Sequence, residues 1–203
     1  METVLAVRTD VLKDYIRCRS YSLIRDHTKE IFNLIRENYV FLPREDLETD
    51  TNYRQVIPYC IIRHNDRYLL FKRLKGQTES RLHAMLSLGA GGHINLRDSS
   101  NSFERIVYNG LCRELNEEVS IIYDIRRDSS YIGVINDESC VVSRSHIGFL
   151  FELLLQSDAY KILEVDKMSA SWESYSGLTE NRNKLEDWSK IVFDQYIKAA
   201  WEN

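Results

Sequence analysis

Three glutamates on one short segment are the residues of this chain best suited to chemistry. The segment from Arg113 to Glu118 has the sequence RELNEE, and on an α-helix Glu114 would lie one turn from both Glu117 and Glu118. Carboxylates on one helix face repel each other, by roughly a few tenths of a kcal/mol per solvated pair. A divalent cation reverses that penalty, because Mg²⁺ takes oxygen ligands and completes its shell with water and phosphate oxygens. The spacing therefore indicates a metal and phosphate site, and a solvated surface face is the alternative.

A helix is predicted around these glutamates from its start and from its apolar stripe. Asn101 can cap the helix and Glu104 follows three residues later, which is a capping-box arrangement for a helix beginning near Ser102. Gly110 lies on the acidic face in mid-helix, where glycine costs roughly 1 kcal/mol against alanine. A close neighbour or a ligand would explain a glycine there. The apolar stripe recurs at helical spacing and comprises Tyr108, Leu111, Cys112, Leu115 and Val119.

Strand patterns flank this helix on both sides. Apolar, β-branched and aromatic residues favour strands over Val4–Arg8, Gln55–Arg63, Arg67–Arg73, Tyr131–Ile135 and Ser145–Leu155. Glycines cluster over residues 89–92, just before the acidic helix, and another helix is expected over residues 31–39. A last helix is predicted after Asn183, with Glu186 at its capping-box position. Strands that flank helices in one chain predict an α/β (or α+β) sandwich with a mixed sheet.

The composition limits the classes of function. The formal net charge is −4, with 43% hydrophobic and 29% charged residues, so a buried core is expected and an electrostatic nucleic-acid binder is not. No apolar run approaches the roughly 20 residues that span a bilayer, so no membrane partner is expected. The four cysteines are scattered without a C-x-x-C pair, which argues against a disulfide framework or a thiolate zinc site. A reducing, cytoplasmic setting is therefore expected.

The acidic segment and the glycines before it resemble the signature of the Nudix hydrolases. That signature is G-x5-E-x7-R-E-U-x-E-E-x-G-U, in which U is an aliphatic residue. RELNEE matches its core, Ile121 fits its last aliphatic position, and Gly91-Gly92 is similar to its opening glycines. Trp172–Leu178 is similar to the tryptophan-containing strand and turn that close the fold, so the resemblance covers roughly residues 55–178. The chain is similar to a branch of the superfamily described only as predicted phosphoesterases.

Three positions depart from that signature. The interval from Gly92 to Arg113 is 21 positions where the signature requires 14, so seven residues are inserted before the helix. Arg105 occupies the place of the early glutamate, for which Glu104 or Asp98 could substitute. Ser120 replaces the late glycine, a change that affects how the helix ends more than it affects the chemistry. The inserted loop and the missing early glutamate leave open whether activity is reduced or lost.

The resemblance implies a role for each residue of the acidic segment. Glu117 and Glu118 would bind Mg²⁺ or Mn²⁺, and Glu114 would be a third ligand or would orient the attacking water. The carbonyl of Gly91 would complete the metal shell. Arg113 would pair with Glu117 and steady the helix. The metal would neutralise the diphosphate, act as a Lewis acid and lower the pKa of its bound water.

Residues outside the helix are candidates for contacts with the substrate. The resemblance and the local charge favour phosphate binding by Gly92, His93, Arg73 and Arg81. A structural histidine and solvated loop arginines are the alternatives for these positions. Glu164 or Asp166, shortly before Trp172, could supply one more ligand or the general base. Either one could equally be an ordinary loop acid.

The function expected from these features is metal-dependent hydrolysis of the diphosphate linkage of a nucleoside diphosphate joined to another moiety. The alternative is a Nudix-fold sensor or binding module with little catalysis, which the missing early glutamate favours and the retained glutamates disfavour. Isopentenyl diphosphate isomerases share the fold, but Cys60 and Cys112 lack the setting of their cysteine motif. The particular diphosphate is not readable from the sequence, and a homodimer is suggested by analogy only. The resemblance implies one Nudix domain over residues 1–203, with an N-terminal extension (1–52), a core (53–178) and a C-terminal helix (about 184–201).

Overall fold

Strands and helices alternate along the chain in the structure, a computed structural model that describes residues 2–74 and 85–202. The strands are β1 (Thr3–Arg8), β2 (Tyr21–Ile24), β3 (Val40–Pro43), β4 (Tyr53–His64), β5 (Arg67–Arg73), β6 (Leu86–Ser87), β7 (Gly89–Gly91), β8 (Val119–Ser120), β9 (Ser129–Asp137), β10 (His146–Leu154), β11 (Lys161–Ile162) and β12 (Met168–Glu173). The helices are α1 (Thr9–Ile16), α2 (Thr28–Asn38), α3 (Arg44–Leu47), α4 (Phe103–Glu118), α5 (Ile125–Asp128), α6 (Val141–Arg144), α7 (Tyr175–Asn181), α8 (Asp187–Val192) and α9 (Lys198–Trp201). None of these described helices has both the length and the apolar character needed to cross a membrane.

Two compact units make up the chain, and four strands (β4, β7, β9 and β10) and one helix (α4) have residues in both. The first unit comprises Met1–Tyr59, Gly91–Cys112 and Tyr131–Leu150. The second comprises Cys60–Ala90, Arg113–Ser130 and Phe151–Asn203.

In the first unit, β1 is the central strand of an antiparallel group. It pairs with β3, where Thr3 lies opposite Pro43, and with β4, where Ala6 lies opposite Gln55. Val4 and Ala6 are fully buried and pack with Leu47, so the predicted strand over residues 4–8 forms because its alternate apolar side chains enter a core. On the other side of this unit, β2 pairs antiparallel with β9.

The start of α4 also lies in the first unit, and a serine caps it. The hydroxyl of Ser102 accepts the backbone N–H of Arg105 at 3.2 Å, so the expectation that Asn101 is the cap is wrong by one residue. Gly110 is explained by packing, because a Cβ there would meet Ile94 Cγ1 at 3.0 Å and Asp98 Oδ2 at 3.3 Å. The close neighbour expected at this glycine is therefore a protein side chain.

The sheet is mixed because β4 and β10 run parallel. The N–H of Gln55 donates to the Ser145 carbonyl at 2.7 Å near the start of both strands. Near their ends, the N–H of Leu155 donates to the Arg63 carbonyl at 2.8 Å. Because the residue numbers of the two partners rise together, this pair is parallel, whereas the pairs β1–β3, β5–β12 and β2–β9 are antiparallel. The predicted α/β class with a mixed sheet is confirmed.

In the second unit, β5 pairs with three neighbours. It pairs with β12 along its whole length, with β6 at Phe71 and Lys72, and with the end of β4. The last pairing is the predicted hairpin, whose turn contains Asn65 at φ 56°, a left-handed conformation that asparagine tolerates. The predicted closing turn after Trp172 is instead a helix, α7, because the Ser174 hydroxyl accepts the Gly177 N–H and starts it.

The C-terminal helix begins later than its capping pattern predicted. α8 starts at Asp187, and Glu186 occupies the N-cap position instead of the third helical position. Leu185 is extended (φ −67°, ψ 145°) and fully buried, and it forms a parallel bridge with Leu86. That pairing keeps Leu185 extended between a 3₁₀ turn (Arg182–Lys184) and α8, so the predicted start near residue 184 is wrong. A π-helical segment (Phe193–Ile197) then connects α8 to α9.

We expect Gly91→Ala to lower the free energy of unfolding by about 1–3 kcal/mol, because the added Cβ would overlap the Pro58 carbonyl oxygen and lie 3.0 Å from Tyr59 Cα. Both neighbours are backbone and have no room to withdraw. Gly177→Ala is the matched control: the Cβ there meets the tip of the flexible Glu173 side chain, and alanine favours the helix by up to about 1 kcal/mol. Urea denaturation of both variants measures the difference. Equal stabilities would contradict the packing described for Gly91.

Candidate active site

The three glutamates of the acidic segment occupy the last turns of α4 with different exposures. Glu114 has 17% of its side chain exposed and Glu117 has 57%, whereas Glu118 is half-buried. Leu115 and Val119 on the opposite face are fully buried and fix the orientation of these turns. The helix therefore buries its apolar stripe, and convergence of the three carboxylates on one cation stays a prediction.

A short strand pair holds the end of α4 against a downstream loop. β8 follows the helix directly and pairs with β11, with Val119 opposite Ile162. The N–H of Leu163 then donates to the Glu118 carbonyl at 3.0 Å. This bond satisfies a carbonyl in the last turn of the helix and brings the neighbouring Glu164 toward the Glu118 side chain.

The surroundings of Glu118 oppose its negative charge. The pKa of its carboxyl is raised from 4.5 to about 8, mainly by burial and in addition by the negative charges of Glu114, Glu164 and Glu186. The positive charge of Arg73 acts in the opposite direction and lowers it. Without a cation at this position, Glu118 is therefore a largely protonated acid near neutral pH.

Basic side chains partly compensate this group of acids. Arg113 Nη1 lies 2.6 Å from Glu114 Oε1 and 3.5 Å from Glu117 Oε1, so the pairing expected with Glu117 is present but the closer partner is Glu114. Lys167 pairs with Glu164 at 2.5 Å, and this contact raises the pKa of the lysine. The pairs hold the carboxylates near one another despite their mutual repulsion.

The structure separates the two acids that were candidates for an additional role. Glu164 lies close enough for its charge to raise the pKa of the Glu118 carboxyl. Asp166, two residues later, is exposed to solvent. Glu164 is therefore the one of the two that belongs to this group.

Glu186 is a member of the group that sequence reasoning did not identify as such. Its residue is 8% exposed, its Oε1 lies 2.5 Å from the Ser87 hydroxyl, and its Oε2 lies 3.4 Å from Arg73 Nε. The sequence contained only a carboxylate near the start of a helix, which a capping role explains equally well. Its proximity to Glu118 depends on pairing between β6 and the start of α8, which no local pattern indicates.

Known proteins share both sequence and architecture with this chain. It is 37% identical over 168 residues to Protein YmaB of Bacillus subtilis (strain 168), and the match covers 81% of this chain and 82% of that protein. The crystal structure of Tm1382, a proposed Nudix hydrolase, matches with TM-score 0.81 and 29% identity over 98% of this chain and all of that one. The chain belongs to the Nudix hydrolase superfamily.

More distant structures agree with this assignment in fold. DR0079 from Deinococcus radiodurans matches with TM-score 0.54 and 16% identity, over 87% of this chain and 98% of that one. The NUDIX domain of Shewanella oneidensis NrtR, solved with ADP ribose, matches with TM-score 0.54 and 12% identity, over 72% and 88%. No protein-family model matches the chain. The match to Tm1382 supports a Nudix-type hydrolase that acts on phosphoric anhydride bonds, which is the activity that the resemblance predicted.

The acids that could substitute for the early glutamate of the Nudix signature have structural partners. Asp98 is 3% exposed, and its Oδ2 accepts the backbone N–H of Asn95 at 2.9 Å in a capping box. Glu104 is exposed on the first turn of α4, 3.9 Å from Arg36. The inserted residues before the Nudix helix thus form a capped turn whose buried carboxylate stabilises the loop itself.

The histidine beside the Nudix glycine pair also has a protein partner. His93 Nε2 lies 3.3 Å from His146 Nε2, and His146 Nδ1 lies 2.7 Å from the Val142 carbonyl. Because a carbonyl only accepts, His146 carries its proton on Nδ1 and His93 donates from Nε2 when both rings are neutral. This contact gives His93 a structural role, and binding of substrate by Gly92 and His93 stays a prediction. Arg81, also predicted to bind substrate, lies outside the described residues.

The oxygen donors of this Nudix site suit a hard divalent cation, although the side chains do not form a complete coordination shell. Across residues 2–74 and 85–202, no three His, Cys, Asp or Glu side chains are placed to hold a metal ion together. Glu114 and Glu117 turn toward Arg113, while the carboxyl of Glu118 is surrounded by charges of its own sign. Mg²⁺ needs only one or two carboxylates when water and substrate phosphate supply the other oxygens. The group therefore fits an ion that arrives with its substrate.

We expect Glu118→Gln to stabilise the metal-free protein, and more so at higher pH. The folded protein keeps the Glu118 proton between pH 4.5 and about 8, where the unfolded chain loses it, so the stability of the wild type falls through this window. Glutamine does not titrate, and its advantage should grow to at most about 5 kcal/mol above pH 8 and vanish near pH 4.

Urea denaturation with a chelator at pH 4, 6.5 and 9 measures this effect. Glu117→Gln is the matched control, because that side chain is 57% exposed and its loss should change stability by less than about 0.5 kcal/mol at each pH. A stability gain in Glu118→Gln that is the same at pH 4 and pH 9 would show that burial does not oppose the charge.

Proposed function

We propose that this protein hydrolyses the diphosphate linkage of a nucleoside diphosphate joined to another moiety, with Mg²⁺ or Mn²⁺ held by glutamates of the Nudix helix. The observation that carries the proposal is the position of Glu118, a half-buried carboxyl that three other carboxylates approach. A dication is the chemical group that best compensates such a cluster. Glu118 would be its main ligand, with Glu117 and Glu114 on the same helix face as additional donors.

The bound metal would supply charge neutralisation of the diphosphate and a more acidic bound water. The protein's own residues would do the rest. Glu118 and Glu114 would fix the position of the cation, and Arg73, whose charge already acts on Glu118, would contact a phosphate oxygen. Glu164 on its loop would accept the proton of the attacking water. Its ion pair with Lys167 holds that carboxylate in place.

A sensor or binding module is the second candidate function. Two observations favour it: no three described acidic, histidine or cysteine side chains are already arranged around a metal position, and the early glutamate of the signature is replaced by Arg105. In that case the site would bind a diphosphate compound without splitting it. Turnover, and not binding, therefore distinguishes the two functions.

The test is a turnover screen with ADP-ribose, nucleotide sugars, dinucleoside polyphosphates and oxidised nucleotides, each with Mg²⁺ or Mn²⁺. We expect cleavage of at least one class, loss of cleavage on chelation, and a decrease of kcat by about 100-fold or more in Glu118→Gln, because metal-bound charge contributes several kcal/mol to the transition state. Phosphorus NMR identifies the bond that is broken.

Glu180→Gln is the control, since this glutamate is exposed on α7 and has no place in the site. It should retain wild-type turnover. Cleavage that persists in Glu118→Gln would reject the proposed site, and binding of these compounds without any cleavage would favour the sensor.

A further inference from the structure

Hydrogen bonds join the start of the C-terminal helix to β6 and the residue after it, just before the Nudix glycines. The N–H of Glu186 donates to the Leu86 carbonyl at 2.9 Å, and the N–H of Leu88 donates to the Ser189 hydroxyl at 2.9 Å. Leu86 and Leu185 also pair with each other as a parallel β-bridge. Residues 185–189 therefore run beside residues 86–88, with Leu185, Glu186 and Ser189 buried.

The carboxylate of Glu186 contacts the neighbouring segment and does not cap its own helix. Glu186 occupies the N-cap position of α8, yet its side chain accepts no N–H of the first turn. Its Oε1 instead lies 2.5 Å from the Ser87 hydroxyl, which is also 2.8 Å from the Gly89 carbonyl. A buried carboxylate is costly unless it is paired, and serine or aspartate would cap a helix at lower cost. The position of Glu186 thus calls for an explanation beyond helix capping.

Arg73 provides that explanation, because its positive charge acts on two carboxylates, those of Glu186 and Glu118. Its Nε lies 3.4 Å from Glu186 Oε2, and its side chain is 21% exposed. Its positive charge also reaches Glu118, where it opposes the effect of burial on the carboxyl. Arg73 ends β5, and its backbone N–H donates to the Met85 carbonyl at 3.2 Å. The backbone hydrogen bond thus fixes the position of the Arg73 main chain, and the contact with Glu186 restrains the position of its guanidinium.

We infer that Glu186 is a positioning residue of the hydrolase: it holds the Arg73 guanidinium beside Glu118, at the point where a substrate phosphate is bound. This inference rests on the proposed function. An arginine side chain has many rotamers, and a carboxylate that restrains it lowers the entropy lost when the guanidinium contacts a phosphate. Glu186 lies outside the Nudix signature, so the site extends to the C-terminal helix.

The test is a double-mutant cycle between Glu186→Gln and Arg73→Met, with Mg²⁺ and the substrate that the wild type cleaves best. Glutamine keeps the volume and an acceptor for Ser87 but removes the charge that restrains Arg73. We expect Glu186→Gln to lower kcat/KM about tenfold, mainly through KM, since a contact with a charged group is lost in binding. Arg73→Met should lower it at least as much, and the double variant should be no worse than Arg73→Met alone.

Two further variants separate positioning from folding. Asp187→Asn changes the adjacent acid, which is 50% exposed and 3.5 Å from Lys190, and should retain wild-type kcat/KM. Glu186→Asp keeps the charge and should recover kcat/KM to within about threefold of the wild type. If Glu186→Gln does not fold, the cycle is measured with Glu186→Asp and Arg73→Met, and the same coupling is expected at smaller size.

Each outcome decides the inference. Losses that multiply in the double variant, or wild-type kcat/KM in Glu186→Gln, would overturn it while the hydrolase function stands. A wild type that cleaves none of the substrates would remove the proposed function, and the inference with it. Non-additive losses together with the aspartate rescue would establish it.

Discussion

The burial of one carboxyl group, that of Glu118, determines the character of this site. The last turn of α4 carries it into a place that solvent reaches poorly, where Glu114, Glu164 and Glu186 add negative charge around it. A fold gains nothing from such an arrangement, since an apolar residue would pack there without an electrostatic cost. Arrangements of this kind are found where a ligand supplies the missing positive charge. A Nudix hydrolase has such a ligand in the metal that accompanies its diphosphate.

The surroundings of Glu118 are built from elements that are distant in sequence. β8 and β11 hold the end of the Nudix helix to the loop that bears Glu164, and α8 brings Glu186 to the side of Arg73. The carboxylates of Glu114 and Glu164 form ion pairs with Arg113 and Lys167. The negative charge of Glu118 is compensated mainly by the positive charge of Arg73. The guanidinium of Arg73 thus reduces the repulsion in the free protein, and in our proposal it contacts a substrate phosphate once a cation is bound.

Local patterns predicted the elements whose signals are local. The β4–β5 hairpin, the strand β10 and the Nudix helix formed as expected, because alternation, turn residues and helical spacing act over a few positions. The start of α8 was misplaced because Leu185 is held extended by Leu86, which is far away in the sequence. For the same reason the role of Glu186 was missed, although Glu114, Glu117 and Glu118 were identified from spacing alone. The short elements β3 and α3 were not predicted, because β3 is only four residues long and α3 lies in a polar stretch.

The most direct measurement is the pKa of Glu118, followed through its carboxyl carbon by ¹³C NMR without metal and with Mg²⁺. Our account predicts a pKa of about 8 in the metal-free protein. It predicts a decrease when Mg²⁺ and a non-hydrolysable diphosphate are added together, since a bound cation favours the ionised carboxylate. A pKa near 4.5 that does not respond to either addition would contradict it.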